Sequence, residues 1–191
     1  MDSLSCLRTM NSFESVISSI LQSDGYWTQT NYKVDLSPEQ KAEIGRPTTP
    51  RWDLDVIAYQ PGSNTLLVVE CKSFLDSGGV SFRGFDPETG GTSRYKLFND
   101  QVLRRVITEQ FVCQLERKNL IFKNPTLQLC LAAGNIQDSS KEPIQSHFDK
   151  MGWRLLDIKW ILKRLDGIAT AGYDDSTVSI VAKLLARRSA G

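Results

Sequence analysis

Two apolar runs joined by four turn-forming residues constrain this chain more than any other feature. Trp52-Asp-Leu-Asp-Val-Ile-Ala-Tyr-Gln60 and Thr65-Leu-Leu-Val-Val-Glu-Cys-Lys-Ser73 flank Pro61-Gly-Ser-Asn64, residues that reverse a chain at little cost. With Gly62 and Ser63 at the tip, Gln60 faces Thr65, Asp55 faces Glu70 and Asp53 faces Lys72. Side chains alternate along a strand, so Asp53, Asp55, Glu70 and Lys72 are expected on one side. Their neighbours there, Ile57 and Val68, are core residues. The opposite face, with Leu54, Val56, Ala58, Leu67, Val69 and Cys71, is apolar too. Strands apolar on both faces are covered on both sides, which puts the charges in or beside the interior rather than on a solvated face. Opposed carboxylates repel, and buried charges are paired or metal-bound. The arrangement therefore calls for a compensating cation. The argument depends on register, since a slip of one residue separates the two acids.

This pattern resembles the PD-(D/E)XK nucleases, in which an Asp precedes an apolar strand and Glu-x-Lys closes the next. Here it reads Asp55-Val-Ile-Ala and Val68-Val-Glu70-Cys-Lys72, after a helix bearing Glu14, and the resemblance covers roughly residues 11 to 134. It implies a restriction-endonuclease-like α/β core: a helix, a three-stranded antiparallel meander, then a helix and a further strand, in a mixed sheet flanked by helices. It also implies magnesium-dependent cleavage of nucleic-acid phosphodiesters, with manganese as a substitute. By resemblance, Asp55, Glu70 and the Cys71 carbonyl hold the metal. Lys72 orients the attacking water or stabilises the phosphorus, and Glu14 reaches the metal through water. The family's Pro-Asp pair is spaced out as Pro50-Arg-Trp-Asp53, so Asp53 competes with Asp55 for the principal role. Gln29 and Gln101, with Gln110 as an alternative, are auxiliary candidates.

A chain of 191 residues suits one domain with a sizeable core. The nuclease-like part is expected over about 11–157, with helices from about 158 to 191. The 40% hydrophobic and 24% charged content is that of ordinary soluble proteins. No apolar run is long enough to span a bilayer, and no basic segment followed by an apolar stretch marks a secretory signal. Cys6, Cys71, Cys113 and Cys130 lack paired metal-type spacing. The last three read as small buried hydrophobes, and a reduced cytoplasmic setting is expected. A net charge of +1 does not announce a nucleic-acid binder, although an acidic centre can carry a basic rim.

Periodicity and turn signals predict a helix from Asn11 to Asp24, a strand from Tyr26 to Val34 and a helical turn at Pro38 to Ile44. The hairpin follows, then a Gly-rich connection from Phe74 to Lys96 of the length usually found in functional loops. One helix is expected from Leu97 to Asn119 and a buried strand from Thr126 to Ala133. Beyond these come a helix near Pro143 to Met151, a strand at Trp153 to Leu156, and helices at Ile158 to Leu165 and Thr177 to Arg187.

Arg51, Arg83, Arg94 and Lys96, with Arg46 and Arg104-Arg105, are the candidate phosphate contacts, which would position a duplex without reading its sequence. Phe82, Phe85 and Tyr95 either stack on bases or pack on the domain. His147, the only histidine, reads as a surface residue, which argues against histidine-based or zinc hydrolysis. Gly78-Gly79 and Gly90-Gly91 lack the following helix of a phosphate-binding loop. The partner expected is DNA, with a homodimer and restriction, repair or mobile-element proteins as further associations and no membrane. The alternative function is a nuclease-like subunit that has lost cutting and serves DNA binding or assembly.

Overall fold

The structure is a computed structural model that describes residues 11–49, 51–86 and 94–189. Cys6, Pro50 and Gly90-Gly91 lie outside them. A five-stranded sheet runs in chain order: β1 (Trp27–Asp35), β2 (Arg51–Gln60), β3 (Thr65–Lys72), β4 (Thr126–Ala133) and β5 (Arg154–Leu156). The first three strands are antiparallel, and β4 and β5 are parallel to β3 and to each other. The class is mixed α/β.

The hairpin register is the one the turn implies, with Gln60 opposite Thr65 and Val56 opposite Val69. Pro61–Ser63 form a single 3-10 turn and Asn64 takes the left-handed conformation (φ 48°), which asparagine tolerates. Its side chain accepts from Tyr59 Oη at 2.9 Å and donates to the Lys123 and Asn124 carbonyls. The Thr126 N–H then donates to the Asn64 carbonyl at 2.9 Å, so one turn residue starts both the hairpin return and the parallel β3–β4 ladder.

Two apolar layers cover the sheet. On one side α1 (Ser12–Ser23), α6 (Ile158–Thr170) and α7 (Thr177–Ser189) join Val56, Ala58, Leu67, Val69 and Cys71. On the other, α3 (Lys96–Asn99), α4 (Gln101–Arg117) and α5 (Lys141–Met151) join Ile57, Tyr59, Leu66 and Val68. The short α2 (Pro38–Glu43) carries a capping box between Ser37 and Gln40. No helix among the described residues is long and apolar enough to cross a membrane.

Three expectations need correction. The helix expected from Leu97 is two helices: Asp100 is extended (φ −105°, ψ 105°) and its carboxylate accepts the Leu103 N–H at 2.9 Å. A fresh N-cap is favoured over continuing the helix because it satisfies an orphan donor. The buried stripe of α4 is Leu103, Val106, Ile107, Phe111 and Leu115, which leaves Val102 and Cys113 on the outside. His147 is half-buried, with its ring near Phe82, Phe85, Phe148 and Trp153, and burial lowers its pKa.

The Phe74–Lys96 connection is partly core. Val80, Phe85 and Tyr95 are buried, and Val80 bridges to Ile136. Tyr95 stacks on Phe85 at 4.4 Å between ring centroids. Of the alternatives for its aromatic residues, packing on the domain describes both Phe85 and Tyr95.

Candidate functional site

Along β3, Leu66 and Val68 enter the α4 layer while Leu67, Val69 and Cys71 enter the α1 layer. The alternation therefore carries Glu70 and Lys72 onto the α4 side, at the strand's C-terminal end. Lys72 Nζ lies 2.7 Å from Glu70 Oε1 and 3.9 Å from Asp55 Oδ2. The β2–β3 ladder stops at Val56–Val69. Just beyond it, Asp55 Oδ2 accepts the Cys71 N–H at 2.8 Å, so a side-chain bond replaces the next backbone one.

Asp55 marks a point where two strands exchange faces. Val56 and Ala58 belong to the α1 layer, yet Trp52 and Leu54 pack in the α4 layer. On β1, Thr28 bonds α1 through Ser18 and Gln22, whereas Tyr32 meets Phe111 of α4 at 5.2 Å. The switch falls at Asn31, whose φ is 52°. The flanking pairs Thr30–Val56 and Tyr32–Leu54 set Asn31 at the level of Asp55. Regular alternation put Asp53 on the same side as Glu70 and Lys72. The switch corrects this: Asp53 lies between Trp52 and Leu54, faces the other way, is exposed, and is in register with Lys33.

Glu14 approaches from the α1 side. It is 6% exposed and accepts Asn31 Nδ2 at 3.2 Å. Asn11 caps α1 through the Phe13 N–H, while the Glu14 carboxylate turns inward.

Burial raises the pKa of Asp55, and the Glu70 charge adds to this against the Cys71 N–H and Lys72. Glu14 is raised by burial and then by Asp55. For Lys72 burial alone pulls downward, but the Glu70 charge and hydrogen bond, with Asp55, outweigh it and the net shift is upward. These directions agree with the distances: the ammonium is held firmly by Glu70, and Asp55 is the under-compensated acid. The Cys71 thiol, in the α1 layer, is pushed well up by burial. Burial raises the Tyr95 pKa, with Lys72 and Arg94 acting against it and Glu70 adding to it; the sequence named this ring for stacking or packing and not for the acidic centre, because its interaction there depends on the connection folding back.

Gln29 is exposed on edge strand β1, opposite Ile57. Gln101 lines a groove of about 550 Å³ with Arg104, Arg105 and Trp153. Gln110 joins the Asp35 carbonyl and Gln40. Arg51 is ion-paired with Asp35 at 2.8 Å, and Arg105 with Glu43 and Glu109. Arg104 donates to the Leu97 and Phe98 carbonyls at the end of α3, and Arg46 lies over Trp52. Arg83 and Arg94 are exposed and Lys96 half-exposed.

The donor set suits a hard divalent cation, which prefers carboxylate oxygens and keeps several waters. The Lys72 ammonium already stands between the two carboxylates as a partial counter-charge, yet Asp55 remains raised. Among the described residues no group of three or more His, Cys, Asp and Glu side chains converges as a ligand cluster. The centre is thus two acids and a lysine, with Glu14 set back on Asn31.

No protein-family model matches the chain, and no curated protein matches it. Among solved structures it is similar to the crystal structure of a protein of unknown function, AF1548. That similarity has 14% identity and a TM-score of 0.41, over 86% of this chain and 73% of that one.

Proposed function

We propose that this chain is a metal-dependent endonuclease of PD-(D/E)XK type with a restriction-endonuclease-like core, acting on DNA. The observation that carries the reading is the Lys72 ammonium held between Glu70 and Asp55 where the β2–β3 ladder ends. Like charges set in a half-buried position are costly for a merely structural hairpin. Asp55 and Glu70 are the residues that would hold Mg2+ or Mn2+, with the Cys71 carbonyl as a further ligand by resemblance. A bound divalent ion supplies charge for phosphoryl oxygens and lowers the pKa of a coordinated water.

The chain's own groups do the rest. Burial pulls the Lys72 pKa down, but the Glu70 charge and hydrogen bond, with Asp55, raise it on balance in the metal-free centre, so the ammonium is available to donate to the water or to a phosphate oxygen. The Cys71 N–H fixes one Asp55 oxygen, which limits the rotamers from which the carboxylate meets a ligand. Arg83, Arg94 and Lys96, on the connection leaving the Lys72 end of β3, meet phosphates.

The test is incubation with linear, circular, single-stranded and branched DNA in Mg2+, Mn2+ or chelator, with Asp55→Asn as control. Metal-dependent cutting that Asp55→Asn abolishes supports the assignment. Binding without cutting under every metal condition would select the non-cleaving DNA-binding or assembly subunit instead.

A further inference from the structure

Asn31 is the only positive-φ residue within a strand among the described residues. Asparagine enters the left-handed region more readily than other residues with a side chain beyond Cβ. A bare flip needs only the backbone, for which glycine is the default choice. Here the side chain has a second use, because Nδ2 donates at 3.2 Å to Glu14, a buried acid from the opposite layer. Asn31 falls between the register pairs Thr30–Val56 and Tyr32–Leu54, at the level of Asp55, and the Glu14 and Asp55 charges act on each other. One residue therefore both turns the strand at the acid and ties down the acid behind it.

We infer that Asn31 is a positioning residue of the acidic centre: its backbone sets the face switch that presents Asp55, and its amide holds Glu14 as the third acid, acting through water. This rests on the proposed nuclease reading for what the centre binds. Groups that orient metal-site acids are typically worth tenfold or more in affinity. A purely structural asparagine would change stability and leave metal affinity alone.

The test is calorimetric titration of Mn2+ into the full chain as wild type, Asn31→Gly, Glu14→Gln and the double variant, with melting temperatures measured in parallel. Asn31→Gly keeps access to positive φ while removing the amide. It is expected to stay folded and lose roughly tenfold in Mn2+ affinity. The double variant is expected to be no weaker than the weaker single one, because both changes break one linkage. Glu14→Gln leaves the β1 backbone unchanged and keeps the test decisive should Asn31→Gly not fold. Wild-type affinity in Asn31→Gly or in Glu14→Gln, or losses that add fully in the double variant, would overturn the inference while leaving the nuclease reading intact. If wild type and Asp55→Asn alike take up no Mn2+, both readings fall.

Discussion

Asp55 Oδ2 accepts the Cys71 N–H at 2.8 Å, immediately past the last β2–β3 backbone pair. The carboxylate thus has two duties that substitution can separate. It satisfies a backbone donor, and it carries charge against Glu70.

Asp55→Asn keeps an acceptor for Cys71 and removes the charge. It is expected to abolish cleavage and raise the melting temperature in metal-free buffer at neutral pH, by roughly 2–4 °C for each kcal/mol of repulsion relieved. Asp55→Ala also abolishes cleavage but leaves the Cys71 N–H without its partner, a loss of about 1–3 kcal/mol that offsets the gain. Scanning calorimetry of the two variants measures the difference. Unchanged turnover in either removes Asp55 from the site.

Lys72→Ala is expected to lower cleavage on the order of 100-fold or more, as removal of a transition-state donor does. Metal binding should persist, because the ammonium is not a ligand and its removal frees Glu70. Calorimetry with Mg2+ checks this. Joint loss of binding and activity would mean that Lys72 holds the carboxylates in place.

The pH dependence follows from signs. Asp55 and Glu14 both have raised pKa values in the folded state. Their stabilisation is fully present below the unfolded carboxylate pKa and is lost as pH rises through the raised values. Metal-free stability from these two groups should therefore fall between acid and neutral pH. Mg2+ should recover it increasingly at higher pH, because it binds the deprotonated acids. Melting curves from pH 4 to 8 with and without Mg2+ test this, and a metal-induced shift that ignores pH would count against the centre.

Gly134 follows β4 and donates to the Lys72 carbonyl at 2.9 Å. A Cβ there would sit 2.4 Å from the Ser73 carbonyl oxygen, and backbone cannot swing aside as a flexible side chain would. Gly134→Ala is expected to destabilise by about 1–3 kcal/mol or more and to disturb the Lys72 end of β3. Denaturant unfolding measures the first effect and Mn2+ affinity the second.

Replacing Arg83, Arg94 and Lys96 together with alanine should weaken DNA binding and flatten its salt dependence, by about 0.9 in log–log slope for each phosphate no longer neutralised. Fluorescence anisotropy at several salt concentrations reads both. Wild-type affinity and slope would show that this connection does not hold the substrate.

The local order was legible along the chain. Pro61-Gly-Ser-Asn64 determined the hairpin and its register, because a turn of fixed length leaves one way to align the two apolar runs. The run Thr126–Ala133 was readable as a strand to its end residues. Asn11, where the first helix was expected to open, caps α1 by accepting the Phe13 N–H at 3.1 Å. Those signals depend on residues adjacent in sequence. Only the tertiary structure decided the rest. The face switch at Asn31 and Asp55 requires α1 and α4 to claim alternate stretches of the same strands, which strict period-two alternation cannot represent, and so Asp53 was misplaced. Cys113 faces outward because docking of α4 rotated its buried stripe onto Phe111 and Leu115. Asn31–Glu14 and the approach of Tyr95 join segments that no turn connects, and side-chain reach across a fold depends on packing that no local pattern records, whereas the grouping of Asp55, Glu70 and Lys72 was already readable from the hairpin.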